Sequence, residues 1–137
     1  MARDPDCIFC KILAGELPAT IVDEDEHTIA FMDINPATRG HALVIPREHH
    51  VDLLTIPQDD LDACTRAAKR LAGTAKEKLG ADGINVLNSC GEAAWQTVFH
   101  FHLHVIPRYH DDPLRLPWVP GPGDMDEIKA AGEELRA

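Results

Sequence analysis

The sequence predicts an α+β fold, a five-stranded antiparallel sheet with helices packed on it, and three observations carry that prediction. Five short segments have strand character; they mix with helical segments rather than alternating strictly, and several links between them are short. The stretch from Asp59 to Leu79 spaces its apolar residues close to the helical period. Within residues 98–106, His100 to Val105 instead alternate histidine with large apolar side chains, the period of a strand.

Taken in order, Cys7 to Ala14 reads as a short helix with Ile8, Phe9, Ile12 and Leu13 on its apolar side and Gly15 as its stop. Thr20 to Asp23 and Thr28 to Met32 read as a hairpin across an acidic turn, and Asn35-Pro36 breaks the second strand. Ala42 to Ile45 is a third strand, stopped by Pro46. The long helix carries Leu61, Cys64, Ala67, Ala68, Leu71, Ala75 and Leu79 as its stripe, and Gly80 ends it. Ile84 to Leu87 and Val98 to Ile106 are the fourth and fifth strands. From Pro107 the chain holds five prolines, which predicts an irregular tail before a last short helix near Met125 to Leu135.

Composition narrows the function. A chain of 137 residues with 45% hydrophobic content is one ordinary domain. Its net charge of −10 argues against binding nucleic acid through phosphates, although a local nest of N–H groups and histidines can still take a small phosphorylated ligand. The polar start lacks a signal core and no apolar run approaches the ~20 residues of a membrane span, so a cytoplasmic protein with no membrane partner is expected. In that compartment the four cysteines are reduced, metal-bound or buried rather than paired.

The stretch His100-Phe101-His102-Leu103-His104 is the strongest chemical signal. On a strand, the three imidazoles would line one face, where imidazole can ligate metal, move protons or attack as a nucleophile. Cys7-x-x-Cys10 has three readings: a redox pair, which lacks the βαβ context it needs; two buried helix cysteines; or half of a structural zinc site completed by His49 and His100, with His50 as the alternative to His49.

With these pieces in place, the chain resembles the histidine triad superfamily, in particular its Hint-like branch of small nucleotide hydrolases and transferases. The resemblance rests on His100 to Ile106, Cys7 to Ile12, Phe31-Met32-Asp33-Ile34, Gly40 to Pro46, Asn88 and Gln96-Thr97, in that family's order. It covers residues 1–110 as a HIT domain; residues 111–137 would be a proline-rich tail with a short C-terminal helix, part of the same domain. The resemblance implies a homodimer and an enzyme acting on nucleoside phosphoramidates or dinucleoside polyphosphates through a nucleotidyl-histidine. His102 would be the nucleophile, with His104, His41 and Thr97 assisting. Asp33 would take the ribose hydroxyls, Phe9 and Ile34 the base, and Asn88, Gln96 and Thr97 the phosphate side of a purine nucleotide or nucleoside phosphoramidate. Some bacterial members carry a Cys2His2 zinc site, so Cys7, Cys10, His49 and His100 would hold structural Zn2+, with no cofactor required for the chemistry. Where many relatives have Gly-Gln-Ser, this chain has Trp95-Gln96-Thr97; Trp95 either narrows the leaving-group side or packs at an interface. Two rival functions are a zinc-dependent hydrolase using the triad as metal ligands and a non-enzymatic nucleotide-binding module.

Overall fold

The computed structural model describes residues 3–136; Met1, Ala2 and Ala137, where the expected domain limits fall, lie outside the described residues. Helix α1 spans Ile8–Leu13, strands β1 and β2 span Ile21–Glu24 and Thr28–Met32, and β3 spans Ala42–Pro46. Helix α2 runs from Gln58 to Leu79, followed by β4 (Gly83–Leu87), β5 (Leu103–Arg108) and α3 (Met125–Arg136). The strands form one antiparallel sheet in the order β1-β2-β3-β5-β4, so β5 inserts between β3 and the later-paired edge strand β4.

The period-two pattern divides the sheet into two faces. Ala30, Val44, Leu103 and Val105 pack with Phe101 against Cys64, Ala67 and Ala68 of α2. Ile29, Phe31, Leu43 and Ile45 face the other way, toward Phe9 and Cys10 of α1. Helix α2 is 22 residues long and covers its face; α1 has six and leaves part of the opposite face open. His104 projects onto that second face, since its β5 neighbours Leu103 and Val105 point to the first. Helix α3 buries none of its residues.

Two boundaries differ from the sequence reading, for a shared reason. The fifth strand begins at Leu103 rather than Val98: the chain bends at residues 98–100, and Phe101 N–H donates to the His50 carbonyl rather than to a sheet partner. Pro46 is itself the last residue of β3, and Pro107 lies inside β5 rather than beginning the tail. Arg47 N–H bonds to His27 and the Arg108 carbonyl accepts from Asp82, so the preceding prolines turn their missing N–H to the side where no strand partner remains. On that side their carbonyls accept from His100 Nε2 and Thr38 Oγ1.

Candidate functional site

On the open face, α1 and the strands enclose a cavity of about 580 Å³. Its apolar end is formed by Ile8, Phe9, Ile12, Leu17 and Phe31; its polar end presents Asp33, Thr97, His102 and His104. No lysine or arginine lines it. A smaller groove of about 340 Å³ beneath the C-terminal half of α2 contains neither histidine, cysteine nor carboxylate.

Hydrogen bonds fix the histidine tautomers. His102 is 6% exposed, and its Nδ1 lies 2.7 Å from the carbonyl of His100, so Nδ1 carries the proton and Nε2 keeps its lone pair. Ala37 N–H donates to His41 Nδ1 at 2.9 Å, which puts the His41 proton on Nε2. That proton faces His104 Nδ1 at 2.9 Å, leaving His104 to present Nε2–H. Burial lowers the pKa of His41 and of His102, each opposed by the negative charge of Asp33. Burial, with the neighbouring His102 and His41, pushes His104 down to about 4. All three are therefore neutral at pH 7.

Asp33, just beyond β2, accepts Asn35 N–H on Oδ1 and sets Oδ2 3.5 Å from His41 Nε2. Ile34 stands at the rim, 90% exposed, while Phe9 is buried and meets the His102 ring edge-on at 5.2 Å. Thr97 is on the wall. Asn88 and Gln96 are not. Asn88 Nδ2 donates to the His102 carbonyl, and its buried Oδ1 has no partner. Gln96 is spent inside its own loop, accepting from Gly91 N–H and donating to the carbonyls of Val51 and Val98. Trp95 follows a 3-10 turn, is 66% exposed and holds φ of 73°, a left-handed conformation costly for a bulky residue. The tautomer-setting groups, Ala37 N–H and the His100 carbonyl, are backbone atoms; the only sequence signal for the first was the Asn35-Pro36 turn.

A second cluster adjoins the cavity through α1. Cys7, Cys10, His49 and His100 bring one ligand atom each to within 4.8 Å of one another. His100 Nδ1 is 3.5 Å from both sulfurs and 3.3 Å from His49 Nδ1, and Cys10 Sγ is 3.4 Å from His49 Nδ1. A tetrahedral zinc ion with ordinary bonds requires about 3.5 Å between sulfur and nitrogen and about 3.4 Å between nitrogens. The four residues fit that ion. His100 Nε2–H donates to the Pro46 carbonyl, the outer hydrogen bond that aims Nδ1 at the cluster. Burial pushes His100 down to about 4 and raises the Cys7 thiol. His50 turns away and bonds Asp60 at 2.8 Å, and it is His49 that adjoins the cysteines.

A neutral imidazole with a free lone pair, two histidines beside it and an apolar cavity define a histidine-triad protein on an antiparallel sheet. Comparison with known proteins agrees: the HIT domain matches residues 14–111, and the chain belongs to the HIT family. It is 48% identical over 106 residues to an uncharacterised HIT-like protein of Methanocaldococcus jannaschii, covering 77% of this chain and 81% of that one. It is 36% identical over 130 residues to the adenosine 5'-monophosphoramidase of Schizosaccharomyces pombe, covering 94% and 95%. Among solved structures, SMU.412c of Streptococcus mutans superposes with a TM-score of 0.92 at 37% identity, over 98% of this chain and 86% of that one. A Zn-bound histidine triad family protein of Mycobacterium smegmatis gives 0.78 at 42% identity, over 96% of both chains. Among the described residues, no helix is long and apolar enough to cross a membrane.

Proposed function

We propose that this protein is a nucleotide hydrolase or transferase that cleaves nucleoside phosphoramidates or dinucleoside polyphosphates through a nucleotidyl-histidine on His102. The observation that carries the reading is the His102 tautomer: its Nδ1–H is committed to the His100 carbonyl, and the ring lines the cavity with an uncommitted Nε2. The name of the fission-yeast relative supports the substrate class.

In this reading Nε2 attacks the α-phosphorus and the bond to the leaving amine or phosphate breaks. The new imidazolium keeps its Nδ1–H on the His100 carbonyl. His104 Nε2–H faces the phosphate oxygens, and the Thr97 hydroxyl passes a proton to the leaving group. Water then attacks phosphorus, its proton returns to the Thr97 oxygen, the His102 Nε2–phosphorus bond breaks, and the nucleotide leaves with the His102 lone pair restored. Asp33 takes the ribose hydroxyls; Phe9 and Ile34 bound the base. Asn88 acts by holding the His102 carbonyl and Gln96 by fixing the loop that carries Thr97.

Cys7, Cys10, His49 and His100 would hold zinc, which supplies a crosslink rather than a Lewis acid, because four protein ligands close the coordination shell. We place the chain in the cytoplasm, with residues 1–110 as the working domain and 111–137 as its tail. We also propose a homodimer joined along β4, an edge strand exposing Val86 and Leu87.

The test is His102→Asn. Turnover should fall by several orders of magnitude, nucleotide binding should persist, and acid quench of wild-type turnover should trap labelled nucleotide on His102. A variant retaining a substantial fraction of wild-type rate would refute the mechanism.

A further inference from the structure

We infer that Asp33 has a duty beyond holding ribose: it is the alternate acceptor for the His41 Nε2 proton, and through His41 it governs whether His104 presents a hydrogen to the substrate. This rests on the proposed chemistry at His102.

His41 is clamped. Its backbone carbonyl accepts Asp33 N–H at 3.0 Å, and its Nδ1 accepts Ala37 N–H at 2.9 Å. The neutral ring therefore keeps its only proton on Nε2, which faces two acceptors: His104 Nδ1 at 2.9 Å and Asp33 Oδ2 at 3.5 Å. Asn35 N–H holds the other oxygen of Asp33 and keeps Oδ2 turned to His41. A ring tilt that closes roughly 0.6 Å would complete the second bond.

The two arrangements differ at the reacting end. With the proton on the His104 side, His104 Nδ1 is occupied as an acceptor and Nε2–H points outward. With the proton turned to Asp33, His104 Nδ1 is free, and the ring can carry its proton there and lose its donor. If His104 took a second proton, two N–H groups would oppose each other at 2.9 Å, and Asp33 Oδ2 would remain as the acceptor for His41. The charged and titratable groups around the His41–His104 pair are Asp33 and His102. Ribose hydroxyls donating to Asp33 would occupy Oδ2, remove the alternative and hold the His41 proton on His104. Sugar recognition would thus set the state of the phosphate-facing histidine, and its loss would appear in kcat as well as KM.

The experiment compares a nucleoside phosphoramidate with its 2',3'-dideoxy analogue in the wild type and in Asp33→Asn, together with nitrogen-15 spectra of the histidine rings in ligand-free protein. The wild type should lose about tenfold in kcat on the dideoxy substrate. Asp33→Asn, whose amide is the weaker acceptor, should recover several-fold of that kcat and move the His41 and His104 ring resonances toward a single shared hydrogen bond. A residue that only binds sugar would change KM for the ribose substrate and leave the dideoxy kcat and the ring resonances alone; that result overturns the inference. If no nucleotide substrate turned over at all, the proposed function would fail, and unmoved ring resonances would be needed to overturn the hydrogen-bond exchange as well.

Discussion

Replacing Cys7 with Ser separates what the Cys/His cluster does for the fold from what the cavity does for chemistry. Cys7 is the N-cap of α1, its sulfur accepting Cys10 N–H at 3.4 Å, and serine caps helices well. The substitution therefore keeps the cap and removes one metal ligand. The cluster ties Cys10 to His49 across 39 residues, and His49 in turn to His100 across 51. Closing one loop of that size restricts the unfolded chain by about 4 kcal/mol, and two would set a ceiling near twice that. In a domain of this length 1 kcal/mol moves the melting temperature by about 3–4 °C, so losing one closure lowers it by about 10–15 °C. The assay is calorimetry of wild type, chelated wild type and Cys7→Ser, beside elemental analysis and turnover at 25 °C. Chelated wild type and variant should melt together, below the metal-loaded protein, with most activity retained per folded molecule. Less than one zinc per chain, with no shift on chelation, would make Cys7 and Cys10 ordinary helix residues. Activity lost in step with metal while the fold persists would instead favour a metallohydrolase.

Gly40 has φ of 92°, and a Cβ there would collide with Leu79 Cδ1 and sit 3.2 Å from Pro107 Cγ; Gly40→Ala should cost about 2–3 kcal/mol in urea denaturation. In the metal-free protein, acid should destabilise early. His100 sits at about 4 when folded against about 6.5 unfolded, so the unfolded chain binds the extra proton between those values. Stability is then complete above pH 6.5 and falls toward pH 4, by about 3 kcal/mol for His100 alone, and urea midpoints across that range should show the loss. Sedimentation should give a particle of twice the 15.1 kDa chain mass, and a charged residue at Val86, on the exposed edge of β4, should shift it toward monomer.

Two kinds of element were legible in the sequence: α2 from its apolar stripe, β2 and β3 from short apolar runs bounded by turn residues and proline. The failures lay where hydrogen bonding outside the sheet decides. His100 and His102 share the alternation of a strand, yet that segment pairs with the His50 carbonyl, and no pattern of side chains reveals it. Pro107 looked like the start of the tail because the side toward which a strand's N–H points depends on its neighbours. At the site, the residue types were readable, but their uses were not. The inward turn of Gln96 and the hold of Asn88 on a backbone carbonyl depend on loops whose course follows from tertiary packing.

The late insertion of β5 has a consequence for how the molecule is made. Strands β1, β2 and β3 pair with their neighbours in sequence, whereas β3 meets β5 through residues such as Ala42 and Val105, which requires closing a loop that contains all of α2 and β4. Such distant pairings form slowly, because ordering precedes the contacts that reward it. The Cys/His cluster draws on both sides of this joint through His49 and His100, and the histidine cavity does so through His41 and His104. A chain in which β3 and β5 have not yet paired thus lacks both the complete metal cage and the His41–His104 hydrogen bond, and the same docking supplies the two.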